Sequence, residues 1–129
     1  MGTDPDKAGS QDLKLSFYFR HNRINIGKRT MEAIGMPDYI HLLVSRKKKY
    51  LFIKPCKKDK EAFNVYFTHG EGNDDLQYRI NEKPLLKWLG QLAGIESETD
   101  TVQFSGIYIP QDNAVCFNLR EYSVISHES

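Results

Sequence analysis

The sequence predicts a β-rich α+β fold in which two strand–helix–hairpin units close into a small pseudo-symmetric barrel. Three observations carry this. Seven Tyr and seven Phe favour strands over a helical bundle. The order strand, helix, hairpin occurs twice along the chain. The 129 residues match one domain, long enough to bury a core without disulfide or metal staples. About seven strands and two helices are expected within one compact domain.

Residues 1–12 are polar and rich in Gly, Pro, Asp and Ser, and read as a disordered leader. The first unit spans 13–67. From Leu13 to Arg20, Leu15, Phe17 and Phe19 alternate with Lys14, Ser16 and Tyr18, the pattern of a half-buried strand. His21-Asn22 is a bend, after which the strand resumes through Ile24 and Ile26. Lys28 to Ile34 suits a two-turn helix with Met31 and Ile34 on one side; Gly35 ends it and Pro37 prevents its continuation. Tyr39 to Val44 and Tyr50 to Pro55 form a hairpin about the polar turn Ser45-Arg-Lys-Lys-Lys49. Cys56 to Glu61 is a charged loop, and Ala62 to Phe67 a further strand.

The Gly-containing, acidic stretch 68–75 reads as a linker, and the second unit spans 76–122. Its opening, Tyr78-Arg79-Ile80-Asn81, echoes Asn22-Arg23-Ile24-Asn25-Ile26. Lys83 to Ala93 is a helix with Leu85, Leu86, Leu89 and Leu92 at helical spacing and Pro84 in its first turn; Trp88 is expected in its core face. Gly94-Ile95 repeats Gly35-Met36, and strands Val102–Ile109 and Ala114–Leu119 follow, joined by Pro110-Gln-Asp-Asn113. Residues 123–129 are a short tail, expected to fray. This outline suggests an internal duplication.

Net charge is only +1, but its distribution is uneven. Residues 13–61 hold thirteen basic and four acidic residues, a net of +9, whereas 62–129 carry −6. Such a split is a hint of polyanion binding by the basic half. The alternative is that the basic half pairs with the acidic half of the same or a neighbouring molecule. No apolar run approaches the length of a membrane span and no secretory h-region appears, so a cytoplasmic protein with no membrane partner is expected.

The stretch Arg23 to Pro55 resembles the swapped-hairpin DNA-binding domains of the AbrB/MazE type. Their pattern is Gly-Arg, two strand residues, Ile-Pro, a short helix ending in Leu-Gly, then a hairpin closing on an Ile/Leu-x-Pro-like strand. Asn22-Arg23 stands at the Gly-Arg position, Ile26 at the Ile, Ile34-Gly35 at the Leu-Gly, and Ile53-Lys54-Pro55 at the closing strand. Gly27 replaces the proline, Thr30 a usually apolar residue, and Met31 and Glu32 stand where such helices can carry arginines. A swapped-hairpin unit cannot bury its own apolar face and needs a second copy; two copies in one chain would supply each other's partner. The resemblance implies duplex DNA as partner and a transcriptional regulator as function. The expected form is a monomer with an internal pseudo-dimer, or a homodimer.

The residues expected to bind nucleic acid are Arg23, at the resembling position, with Arg20, Lys28 and Arg29 around it. Lys28 and Arg29 lie in the first helical turn, whose free N–H groups also favour phosphate. Arg46, Lys47, Lys48 and Lys49 offer a second phosphate contact at the hairpin tip, or a merely solvated turn. The alternative function is a non-enzymatic protein-interaction module, antitoxin-like or a mobile-element accessory protein, binding an acidic protein without DNA. The short tail counts against the antitoxin form.

Enzyme signatures are sparse. No phosphate loop, nucleophile elbow or Cys-x-x-Cys occurs. His21, His41, His69 and His127 show no ligand spacing with each other or with the cysteines, so no metal and no cofactor are expected, and His41 reads as structural or surface. Glu71, Asp74 and Asp75 lack the alternating oxygen ligands of a calcium loop. Cys56 and Cys116 read as two reduced thiols, Cys116 buried and Cys56 near a surface loop.

Overall fold

A continuous antiparallel ladder of nine strands wraps around the core, in the order β5-β3-β4-β9-β8-β1-β2-β7-β6, with β10 added beside β8. The computed structural model describes residues 13–69, 76–96 and 99–125. In chain order the strands are β1 (Lys14–Tyr18), β2 (Arg23–Ile26), β3 (Tyr39–Ser45), β4 (Tyr50–Cys56), β5 (Phe63–Asn64), β6 (Tyr66–His69), β7 (Leu76–Ile80), β8 (Thr101–Ile109), β9 (Ala114–Asn118) and β10 (Ser123–Val124). The helices are α1 (Lys28–Ala33) and α2 (Lys83–Ala93). The two ends of the ladder, β5 and β6, are separated in the chain by Val65 alone, so the sheet curls into a nearly closed barrel. Val65 N–H donates to the Asp38 carbonyl at 3.0 Å and fixes this junction beside β3.

Alternation fills the interior. Phe104, Leu15, Ile26 and Tyr78 form one row across β8, β1, β2 and β7; Val102, Phe17, Ile24 and Ile80 form the next. All eight are buried, and a one-residue slip of any ladder would turn its row out to water. Phe17 lies 4.8 Å from Phe104 between ring centroids. Ile40, Leu51, Ile53, Val115 and Phe117 complete the core from the other side.

Both helices end in the same way. Gly35 (φ 92°) donates to Glu32 O and Met36 to Met31 O; Gly94 (φ 77°) donates to Gln91 O and Ile95 to Gly90 O. This is the Schellman arrangement, which needs a left-handed residue where glycine alone carries no Cβ penalty. Helix α1 packs on β1 and β7, and α2 on β2, burying Met31, Ile34, Leu86 and Leu89. Thr30, at a position where the resembling helices are usually apolar, is fully buried and donates its hydroxyl to the Lys14 carbonyl at 2.9 Å.

Several expectations are corrected. The described residues form ten strands rather than about seven. The first strand ends at Tyr18, because Phe19–His21 form a 3₁₀ turn closed by Asn22 in left-handed backbone. Thr68 and His69 belong to β6 rather than to a linker, since their backbone pairs with β7; the leader 1–12 and the stretch 70–75 lie outside the described residues. The tail does not simply fray: Ser123 and Val124 pair with Gln103 and Val102. Trp88 is exposed rather than core, because Leu86 and Leu89 hold the buried face of α2 and Trp88 falls between them on the other side. Cys116 is half-buried, not buried. Among the described residues no helix is long and apolar enough to cross a membrane.

Candidate nucleic-acid interface

The pairing that buries Ile24, Ile26, Tyr78 and Ile80 sends the intervening residues outward. On the outer face of β2 and β7 stand Arg23, Asn25 and Arg79, all half-buried. Their ladder partners extend them into two rows. In one, Ser16 pairs with Asn25, Asn25 with Arg79 and Arg79 with Tyr66. In the other, Tyr18 pairs with Arg23, beside which the chain places Asn81 just past the end of β7.

The arginines are held rather than waving in solvent. The Arg23 guanidinium carbon sits 4.9 Å from the centroid of the Tyr18 ring, a cation–π contact. The Nε atoms of Arg23 and Arg79 and the Oδ1 of Asn25 are shielded from solvent and have no hydrogen-bond partner. A shielded donor without a partner costs about 1–3 kcal/mol. Arginine, asparagine and tyrosine are the donors that meet phosphates and base edges.

The remaining expected residues spread out from this face. Arg20 lies in the 3₁₀ turn ahead of β2 and is exposed. It lines an open groove of about 730 Å³ against α2, where it meets Lys83 and Lys87. Lys28 and Arg29 lie beyond the other end of β2, exposed in the first turn of α1. Arg46, Lys47 and Lys48 are exposed and Lys49 half-buried in the β3–β4 turn. That turn is not brought to the Arg23 face. The β4–β9 pair lies across the barrel from β2–β7, with β3 and the β5–β6 stretch between them on one side and β8 and β1 on the other.

Arg79, Asn25, Tyr18, Tyr66, Lys83 and Lys87 were not among the residues expected at the site. The signal for Arg79 is present in the sequence as the repeated triplet Arg-Ile-Asn at 23–25 and 79–81. What sequence alone does not supply is that the two copies lie side by side.

Neither thiol is activated. Burial raises the thiol of Cys116; burial, then the charge of Asp59, raises that of Cys56, so both stay protonated at neutral pH. The Asp59 carboxyl is lowered, first by the Glu61 backbone N–H and further by His41.

No protein-family model matches the chain, and no curated protein or solved structure matches it significantly.

Proposed function

We propose that this chain is a DNA-binding protein, a transcriptional regulator built from two fused swapped-hairpin units of AbrB/MazE-like type, and that it meets duplex DNA with the outer face of β2 and β7. The observation that carries the reading is the paired Tyr–Arg array on one outer face, Tyr18 with Arg23 and Tyr66 with Arg79.

The duplication is supported by strand order and register. The β3–β4 and β8–β9 hairpins each turn through four residues whose last, Lys49 or Asn113, has positive φ (63° and 49°). The shift carrying Lys49 onto Asn113 carries Ile40 onto Phe104. Ile40 pairs with Phe63 and Phe104 with Leu15, which makes Phe63 the counterpart of Leu15 and Tyr66 the counterpart of Tyr18. Tyr18 pairs with Arg23 and Tyr66 with Arg79. The path begins at the hairpin turns, uses no sequence identity, and arrives where the chain repeats Arg-Ile-Asn. Exchanging the two halves leaves the circular strand order unchanged when β5 and β6 count as one strand.

Under this reading a pseudo-twofold axis runs through the Ile24–Ile80 pair and relates Arg23 to Arg79. The preferred DNA site is then two short half-sites in opposite orientation, as twofold readers require. Bidentate arginine contact to guanine gives the sequence choice, and Arg20, Lys83, Lys87, Lys28 and Arg29 supply phosphate contacts. The test is titration with random duplex DNA at two salt concentrations. Binding that weakens steeply with salt supports the reading; none at about 50 mM salt, where phosphate contacts are strongest, rejects it. In that case an acidic protein partner, met by the exposed Arg46–Lys48 turn on the opposite side, is the reading that remains.

A further inference from the structure

His41 and Cys56 lie on the same outward face of the β3–β4 hairpin. His41 pairs with Lys54 and Cys56 with Tyr39, so the two are diagonal neighbours across the ladder. The charged loop after β4 returns and sets Asp59 against them. Its Oδ2 is 2.9 Å from His41 Nε2, and its Oδ1 accepts the Glu61 N–H at 2.8 Å. One imidazole nitrogen, one sulfur and one carboxylate oxygen come within 4.8 Å of one another. The residues lie far enough apart in sequence that no spacing motif announces them.

We propose that His41, Cys56 and Asp59 bind a divalent transition-metal ion of the zinc class. Sulfur, imidazole nitrogen and carboxylate oxygen are the three donor types that zinc takes, at about 2.3, 2.0 and 2.1 Å. Tetrahedral geometry at those lengths sets the donors roughly 3.5 Å apart, so the His41–Asp59 contact of 2.9 Å opens and the wider separations, within 4.8 Å, close. Two ligands stand on a paired hairpin and are fixed by its register. The third is on an exposed loop that can adjust, yet is oriented by its own bond from Glu61, as ligating carboxylates are. Three protein donors leave one position for water. The mixed donor set argues against magnesium and calcium, which take oxygen ligands. The cluster is on the β3–β4 hairpin, across the barrel from the Arg23–Arg79 face, so the inference stands apart from the DNA reading.

The experiment uses the full chain, stripped with chelator and titrated with Zn²⁺ alone against a chromophoric competitor. One equivalent should bind. Cys56→Ser and His41→Ala should each weaken binding by about tenfold or more, the scale seen when a zinc site loses even a supporting residue, while Cys116→Ser leaves it unchanged. Bound Zn²⁺ should protect Cys56 from alkylation but not Cys116. A measurement free of variants is titration of the wild type with Co²⁺, where a thiolate-to-cobalt charge-transfer band should appear. No zinc bound beyond a buffer control, no such band, or wild-type affinity in folded Cys56→Ser and His41→Ala would overturn the site and leave His41–Asp59 as a plain surface hydrogen bond.

Discussion

Arg23 and Arg79 lie on either side of the Ile24–Ile80 pair, each with its Nε shielded from solvent and without a hydrogen-bond partner. The two side chains share one face of the barrel although 55 residues separate them along the chain. Equal placement predicts equal effect. Arg79→Ala should weaken binding to duplex DNA as much as Arg23→Ala, each by about 1–3 kcal/mol if it reads a base and by roughly one unit of salt slope if it meets phosphate. Competition titrations of both variants against random and selected duplexes distinguish the two. A loss confined to Arg23→Ala would contradict the paired array.

Neither half should fold alone as a monomer. β1 has its partner β8, β2 its partner β7 and β4 its partner β9 in the second half. Residues 1–69 expressed by themselves would also lose the β6–β7 ladder, leaving four ladders open and the faces of Phe17 and Leu51 in water. The expected outcome is a self-associated species or an unfolded chain, read by sedimentation and far-ultraviolet circular dichroism. A well-folded monomeric half would count against the fused-unit account.

Gly106 is the point at which β8 passes from β1 to β9. A Cβ there would stand 2.6 Å from both Phe117 Cε2 and Val115 Cγ1. Gly106→Ala should therefore destabilise by about 1–3 kcal/mol through overpacking. The measurement is a lower denaturant midpoint with an unchanged slope.

Thr30→Val keeps the volume and removes only the hydroxyl bond to Lys14 O, which still accepts the Gly27 N–H at 3.0 Å. The cost should be about 1 kcal/mol, that of one hydrogen bond whose acceptor stays satisfied. Equilibrium unfolding of Thr30→Val beside Gly106→Ala checks the order of the two effects.

Much of this fold is legible from residue order. Gly35 and Gly94 mark both helix ends, and the polar turns 46–49 and 110–113 mark both hairpins, because each position needs a backbone few residues tolerate. Other features depend on distant partners. Trp88 fits a helical apolar pattern, but only the packed helix reveals that Leu86 and Leu89 take the core and leave it outside. β10 is two residues long and exists because β8 offers a free edge there. The basic run Arg46–Lys49 and Arg23 appear close in sequence, yet the barrel sets them on opposite sides. Arg79 lies in an acidic half and gains its place from β2.

Both thiols should react slowly. Burial raises Cys116, and burial with the Asp59 charge raises Cys56, so the thiolate fraction at pH 7 falls below that of a free cysteine. Alkylation rates should lie below those of a cysteine-containing peptide and climb at a higher pH than the peptide's. Stopped-time labelling across pH 6 to 10, roughly bracketing the usual thiol range, reads this directly. A peptide-like rate at pH 7 would show that the pocket around either sulfur is open.

The central claim is that the Arg23–Arg79 face binds duplex DNA, and it is tested most directly by fluorescence anisotropy of a random duplex at about 50 and 200 mM salt. The wild type should bind at the lower salt and weaken steeply at the higher. Arg20, Arg23, Lys28, Arg29 and Arg79 changed together to Ala should nearly abolish binding while the circular dichroism spectrum is unchanged. Wild-type protein without measurable binding at about 50 mM salt, or a folded five-site variant that binds as the wild type does, would contradict the claim.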